Sequence, residues 1–431
     1  MTHTSLSFDR ALKRWLSTIE RLDPETVLLD ESLGRILAAD LSSDIDVSPF
    51  DNSAMDGFAL RARDIAKASP ATPIDLEVVT CIAAGDYWEG TLQARQAARI
   101  MTGAPLPAGA DIVVKVEDTT KADSDQHVRF SSAASRGLNI RLRGEEIKAG
   151  ERVLASGEYL GPAAVGLLAA TGYVQVPVFR QPTVAIISTG EELIPVGDTP
   201  TRGKIRNSNS HSLAAQAQAA GARVRQYASI PDTLEDTVAT FRQASTECDI
   251  IISSGGVSVG DFDFVEEAVQ SLGDLHFSTV KMRPGKPQVT GMINKLPFFG
   301  LPGNPTSAYL GFELFVRPAI LKMAGHTRLQ RPVQTAVLSH DIKKRQGLRY
   351  FMRGRVRLAD IQEPAEPSSS ANAQDRAHSH LVQVTGNQSS ALLGSLHEAN
   401  CLLVLPEEET ELKAGTVVKC IRLDMEERVE L

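Results

Sequence analysis

The sequence predicts a multidomain α/β plus β protein. Its parts are a central three-layer α/β domain with a mostly parallel sheet, a β-rich inserted domain, an N-terminal α+β domain and a C-terminal small β-barrel. Three observations carry this. Between residues 182 and 325, apolar strands (TVAIIST, ARVRQYASI, CDIIISS, LHFSTVKM, LPFFGLP) alternate with helical segments at 208–220, 233–245, 264–272 and 306–322. That alternation implies a mostly parallel sheet covered on both faces. Residues 60–144 hold strand-like runs separated by Pro and Gly, and residues 330–431 are strand-rich again.

The N-terminal stretch opens with Phe8, Ala11, Leu12, Trp15, Leu16 and Ile19 at helical spacing, which predicts an amphipathic helix over 7–20. Its apolar stripe needs a cover, either the rest of the chain or a partner subunit. Residues 26–47 mix short strands with a turn at Gly34. PFDNSAMDGFAL (49–60) is a loop crowded with short polar side chains, which can bond their own backbone. Thr102 and Gly103 end the strand that holds Arg99–Met101. Arg141, Arg143, Glu145 and Glu146 form a charged cluster, read from sequence alone as a solvated turn. A helix from Pro162 to Ala170 carries Pro at its first position and Gly172 past its end. The polar tract 363–380 reads as an insertion, 385–396 as a polar glycine loop, and 401–423 as two strands around a turn at Ala414-Gly415.

Composition sets limits on function. The chain has 431 residues, 42% hydrophobic and 23% charged, with a net charge of −8 and no basic block. This argues against nucleic acid as a partner. Cys81, Cys248, Cys401 and Cys420 are isolated and read as reduced thiols. Neither a signal-peptide core nor a run of about 18 apolar residues occurs, so a cytoplasmic protein away from membranes is expected.

Ligands of open α/β sheets sit outside the carboxyl ends of the strands, and those ends are rich in chemistry here. The first ends in Ser188-Thr189-Gly190-Glu191-Glu192, and the second runs toward Asp232. The third ends in Ser254-Gly255-Gly256, followed by Ser258, Asp261 and Asp263. The fourth ends in Lys281, Arg283 and Lys286, and the fifth in Pro302-Gly303-Asn304-Pro305 with Ser307. A glycine turn between strand and helix is an anion cradle, because glycine lets a phosphate approach unpaired backbone N–H groups. Two such turns suggest more than one phosphate. Carboxylates beside phosphate repel by several kcal/mol at short range unless a cation bridges them. An oxygen-only donor set favours Mg2+ over zinc. The pattern is neither GxGxxG nor a Walker loop, and no GxSxG occurs.

PFDNSAMDGFA, RIMTGAPLPAGAD, RLRGEEI, ISTGEEL, SSGGVSVGDFD, MRPGKP and GLPGNPTSA, in this order, resemble the MoeA family of molybdopterin molybdenumtransferases and the corresponding end of gephyrin, over about residues 6–425. The resemblance implies insertion of molybdate into adenylated molybdopterin with release of AMP, the last step of molybdenum cofactor biosynthesis. It also implies Mg2+ and a homodimer whose site lies at the subunit interface, with contact to the molybdopterin adenylyltransferase. The implied domains are a discontinuous N-terminal dimerisation domain (1–47 and 145–180), the inserted β-rich domain (48–144), the molybdopterin-binding catalytic domain (181–328) and the barrel (329–431).

Carried over by position, Asp56, Thr102, Glu146, Glu192, Asp232 and Asp263 are the implied catalytic residues. Glu192, Asp232 and Asp263 are the implied metal ligands. Substrate would be held by Ser188, Thr189, Gly190, Ser254, Gly255, Gly256, Ser258, Lys281, Arg283, Lys286, Pro302, Gly303, Asn304, Pro305 and Ser307. Two positions depart from the family pattern while keeping their charge: Glu146, where Asp is common, and Arg283, where Lys is common. Two alternatives remain at this stage, a non-catalytic scaffold on the same fold and a Mg2+-dependent nucleotide pyrophosphatase.

Overall fold

The computed structural model describes residues 5–257, 264–358 and 380–427. Ser258, Asp261, Asp263 and nearly all of the 363–380 tract lie outside the described residues. Contacts divide the chain into two compact units. One comprises residues up to 25, 34–38 and those from 178 onward; the other comprises 26–33 and 39–177.

The larger unit contains the α/β layers. Helix α1 (Phe8–Ser17) opens it. The alternation then runs β1 (Thr183–Ser188), α2 (Ser208–Ala219), β2 (Arg223–Gln226), α3 (Leu234–Glu247), β3 (Ile250–Ser254), α4 (Val265–Leu272), β4 (Gly273–Thr279), β5 (Pro287–Ile293), β6 (Leu296–Leu301) and α5 (Pro305–Gly311). The sheet order is β2-β1-β3-β6-β5-β4. Strands β2, β1, β3 and β6 are parallel, whereas β5 runs antiparallel to both of its neighbours.

Side-chain alternation explains the three layers. Val184 and Ile186 of β1 enter one core with Leu213 and Ala217 of α2, while Ala185 and Ile187 enter the opposite core with Phe241 and Ala268. Ile250 and Ile252 of β3 face the first core and Ile251 the second. All of these strand residues are fully buried, and each large one contributes about 1.5–3 kcal/mol on leaving water. The continuous apolar run of β3 follows from being covered on both faces.

Strand β5 was not read in the sequence. It begins at a proline, contains Gly291, and is joined to β6 by Asn294-Lys295, both at positive φ. Two left-handed residues in succession make the tight hairpin turn that usually carries Asn-Gly or Asp-Gly, so the signal was weak.

Helix α1 packs in the larger unit. Phe8, Ala11, Leu12, Trp15 and Ile19 join Phe299, Phe315 and Phe351 in one core. The Trp15 Nε1–H donates to the Phe315 carbonyl (2.9 Å), and its ring meets Phe299 edge-on at 5.0 Å. The apolar stripe is therefore covered by the same chain. The opening helix buries its aromatic face on the α/β layers.

The C-terminal part of this unit is a closed barrel. Strands β7 (Val333–Leu338), β8 (Arg349–Leu358), β9 (His380–Val384), β10 (Cys401–Leu405) and β11 (Val417–Arg422) pair in the circuit β8-β9-β7-β11-β10, and β10 returns to β8. Closure leaves no free edge within the ring. The short strand Met282–Arg283 adds alongside β8.

The smaller unit holds a six-stranded, mainly antiparallel sheet in the order Ile112–Lys115, Gly57–Leu60, Gln96–Ile100, Ile74–Ile82, His127–Phe130, Thr119–Lys121. Separate apolar clusters lie on its faces. Gly57 is required because a Cβ there would lie 2.1 Å from the Val114 carbonyl oxygen. Among the described residues no helix is long and apolar enough to cross a membrane.

Candidate active site

A cleft of about 630 Å3 opens at the carboxyl ends of β1, β3 and β6. The chain moves from β1 outward to β2 in one direction and to β3 in the other, so the cleft sits where the strand order reverses. The β1 wall is Ser188, Thr189, Gly190 and Glu192; the β3 wall is Ser254, Gly255 and Gly256; the β6 wall is Pro302, Gly303, Asn304 and Pro305. Asp232, which follows β2, completes the rim.

The glycine turn is sterically dictated. Gly255 and Gly256 have φ of +98° and +63°. A Cβ on Gly255 would lie 2.5 Å from the Thr189 carbonyl oxygen, and one on Gly256 would lie 2.9 Å from Thr189 Oγ1. The Gly255 N–H is held by the Leu301 carbonyl (3.0 Å), which ties β3 to β6 beneath the turn. Thr189 Oγ1 is buried and has no hydrogen-bond partner among the described residues. A buried hydroxyl left without a partner costs free energy, so this one is a donor or acceptor available to a ligand oxygen.

The carboxylates Glu192 and Asp232 line the same cleft. The Glu191 N–H donates to Asp232 Oδ2 (3.2 Å) and the Lys204 ammonium donates to the Glu191 carbonyl (2.6 Å), fixing this side of the rim. Among the described residues no group of three or more His, Cys, Asp or Glu could hold a metal. Two hard oxygen donors facing a phosphate-shaped cradle still suit Mg2+, which takes one or two carboxylates and completes its shell with phosphate and water.

The cations that follow β4 do not line this cleft. Strand β5 lies between β4 and β6, and two strand spacings are about 10 Å. Arg283 lines a second cleft of about 420 Å3 with Lys343, Lys344, Arg345 and Tyr350, its guanidinium 5.6 Å from the Tyr350 ring centroid. Lys281 and Lys286 are exposed. Ser307 is buried, with its backbone against Gly285, and does not line the main cleft.

In the smaller unit, Asp56 and Thr102 are brought together. Both the Thr102 hydroxyl and its backbone N–H donate to Asp56 Oδ1 at 2.7 Å. Those two bonds, the hydroxyl first, hold the Asp56 carboxyl below its ordinary range. Glu146 is exposed, and its N–H donates to the Val47 carbonyl (3.3 Å).

Three family models match in succession: the MoeA N-terminal region (domain I and II) over residues 6–172, the probable molybdopterin binding domain over 185–322, and the MoeA C-terminal region (domain IV) over 335–423. A molybdopterin molybdenumtransferase of Staphylococcus epidermidis is 37% identical over 97% of this chain and 96% of its own length. The chain belongs to the MoeA family. A Staphylococcus aureus relative of the same name is 36% identical over 95% of this chain and 94% of its own. A solved MoeA protein of Pyrococcus horikoshii OT3 superposes with a TM-score of 0.78 at 29% identity, covering 97% of this chain and 99% of that one.

Within this MoeA fold, the cleft lining also includes residues that no motif in the sequence marks, Asn209, Asn207 and Ala391 among them. Asn209, in the first turn of α2, donates through Nδ2 to Ser254 Oγ (2.7 Å) and to the Gly303 carbonyl (2.8 Å). Asn207 accepts from the Ser210 N–H at the start of α2 and donates to Ser229 Oγ (3.0 Å). Ala391 of the barrel loop also lines the cleft, and that loop is anchored to α5 by Thr306, whose hydroxyl donates to the Leu392 carbonyl (2.8 Å). Asn207 caps α2 in the way an Asn before a helix ordinarily does, whereas a side chain reaching sideways from a first turn, as that of Asn209 does, leaves no trace in sequence.

Proposed function

We propose that this molybdenumtransferase inserts molybdate into adenylated molybdopterin and releases AMP, with Mg2+ bound at the cleft. The observation that carries the reading is the glycine turn at Gly255-Gly256, held against a Thr189 hydroxyl with no partner among the described residues and flanked by two carboxylates. It offers a phosphoanhydride a side-chain-free glycine surface and the Thr189 hydroxyl on one side and a cation site on the other.

Glu192 and Asp232, with Asp263, would hold the Mg2+. When bound, the ion would screen the anhydride's charge and so ease attack of water on the anhydride phosphorus, with AMP as the leaving group. The residues of this chain then orient the anhydride along the turn. The Pro302–Pro305 wall confines it, and a Glu192 oxygen free of the metal takes the two protons that the dithiolene thiols lose as they bond molybdenum and passes them to the displaced molybdate oxygen, which leaves as water. Molybdate is collected at the cationic cleft of Arg283, Lys343, Lys344 and Arg345; Pro284 and Gln388 line that cleft, and Pro287 and Ala391, three residues further along the chain in each case, line the main one. Lys281 and Lys286 add positive charge beside it.

A homodimer completes the proposal. The helix Pro162–Ala170 is apolar, yet Leu168 is its only buried residue, and Leu28, Leu33 and Val174 of the same unit are 52%, 57% and 73% exposed. Such a surface calls for a cover, and the partner would bring Asp56 and Thr102 toward the cleft.

The test is AMP release by Asp263→Ala and Asp232→Asn. Wild-type rates from both variants with adenylated molybdopterin, molybdate and Mg2+ would remove the carboxylates from the mechanism.

A further inference from the structure

The two asparagines at the start of α2 do unlike work. Asn207 reaches toward β1 and β2: Ser188 Oγ donates to its Oδ1 (3.4 Å), and its Nδ2 donates to Ser229 Oγ. Asn209 reaches toward β3 and β6, so one helical turn touches four strand ends. The Asn209 contacts fix its orientation, because the Gly303 carbonyl can only accept and the amide must present its NH2 group there. That group carries two hydrogens, one for Gly303 and one for Ser254. Ser254 Oγ donates onward to the Pro302 carbonyl at 3.4 Å. A Cβ on Gly303 would sit 3.8 Å from Gly255 Cα, so the two ligand walls are in direct register at this point. Among the described residues, the last backbone hydrogen bond between β3 and β6 lies below, from Gly255 N–H to Leu301. Above that level Asn209 is a side-chain bridge between the walls.

We infer that Asn209 is a positioning residue for the reaction: it sets the separation of the Gly255-Gly256 turn from the Pro302–Pro305 wall, and with it the grip on the substrate anhydride. The inference deepens the reading of this cleft as the adenylated-pterin site and rests on that reading for its substrate. Asn209 acts through Ser254 and Gly303 and need not touch the reacting atoms. Misplacement of a substrate-holding loop by about 1 Å costs up to about 100-fold in rate.

The test is Asn209→Asp, which keeps the shape but sets a carboxylate oxygen against the Gly303 carbonyl. At pH 8 its kcat/KM for molybdate-dependent AMP release is expected to fall about 100-fold. As pH is lowered toward 5.5, the introduced carboxyl, whose protonation is favoured beside a carbonyl, regains one donor, and the ratio to wild type is expected to recover several-fold. A merely structural role would not give that recovery. Hydrogen exchange of the ligand-free protein reads the same bridge independently: amides in 255–257 and 303–306 are expected to exchange at least about 10-fold faster, with β1 unchanged.

Unaltered exchange at both walls overturns the inference whatever the activity shows. If wild type releases no AMP in a molybdate-dependent way, the functional reading fails and the exchange result alone decides the role of Asn209. Should Asn209→Asp fail to fold, the pair Asn209→Ala and Ser254→Ala decides. Combined, they are expected to lose little more than Asn209→Ala alone, and full multiplication of their separate losses would contradict a shared bridge.

Discussion

Gly255→Ala tests the cradle where its geometry is tightest. Two penalties combine. The residue has φ of +98°, a conformation costing an L-residue about 1–2 kcal/mol. The new Cβ would also stand 2.5 Å from the Thr189 carbonyl oxygen and 2.8 Å from its hydroxyl. Thr189 cannot simply withdraw, because its N–H is bound to the Ser254 carbonyl at 3.0 Å. Relief of an overpacked contact costs about 1–3 kcal/mol more, so about 3 kcal/mol of stability is expected to go. The turn must move by most of an ångström, which translates to about 100-fold in kcat/KM. Gly303→Ala is the matched comparison for stability: its Cβ has only an ordinary 3.8 Å contact with Gly255 Cα and no positive φ. Urea unfolding followed by fluorescence, with AMP release as the activity readout, separates the two. A Gly255→Ala protein with wild-type midpoint and wild-type kcat/KM would refute the argument, as would equal destabilisation by both substitutions.

Three further outcomes are expected. Asp232→Asn retains an acceptor for the Glu191 N–H but loses a charge, so the Mg2+ concentration for half-maximal activity should rise at least about 10-fold with an unchanged unfolding midpoint; unchanged Mg2+ demand would remove Asp232 from the metal site. Trp15→Ala should cost about 3–5 kcal/mol in urea unfolding, because the ring is fully buried against Phe299 and its N–H is bonded to Phe315; a loss under about 1 kcal/mol would mean the helix is not integral to the α/β core. Thr102→Val removes the hydroxyl bond to Asp56 but keeps the N–H bond, so the Asp56 carboxyl should titrate higher by NMR. Because the folded pKa of Asp56 lies below the unfolded one, its contribution to loop stability is full above the ordinary carboxylate range and is lost as pH falls through the lowered folded value. Thr102→Val should shrink that contribution, and an unshifted Asp56 titration would show that the hydroxyl is not what lowers it.

The parallel strands were legible because burial on both faces demands the unbroken apolar runs seen in 184–187 and 250–252. The cleft was legible because strand ends in such sheets collect ligands, and Thr189, Gly190, Gly255, Gly256 and Gly303 converge as that rule expects. Three things were not legible, each for a physical reason. The Asn294-Lys295 hairpin hid β5, and with it the displacement of Lys281 and Arg283 away from the main cleft toward the barrel. The apolar stripe of α1 announced its burial but not its partner, since periodicity identifies a face and says nothing of what covers it. Asn209 was hidden because its role depends on two strands far from it in sequence, meeting at Ser254 and Gly303.

The most direct test of the whole account is a molybdate titration of AMP release by the purified wild-type chain supplied with adenylated molybdopterin and Mg2+. The expected result is AMP appearing in step with added molybdate, with none when molybdate or Mg2+ is omitted. Equal AMP release with and without molybdate would identify a nucleotide pyrophosphatase, and no release under any condition would leave a binding scaffold; either contradicts the account.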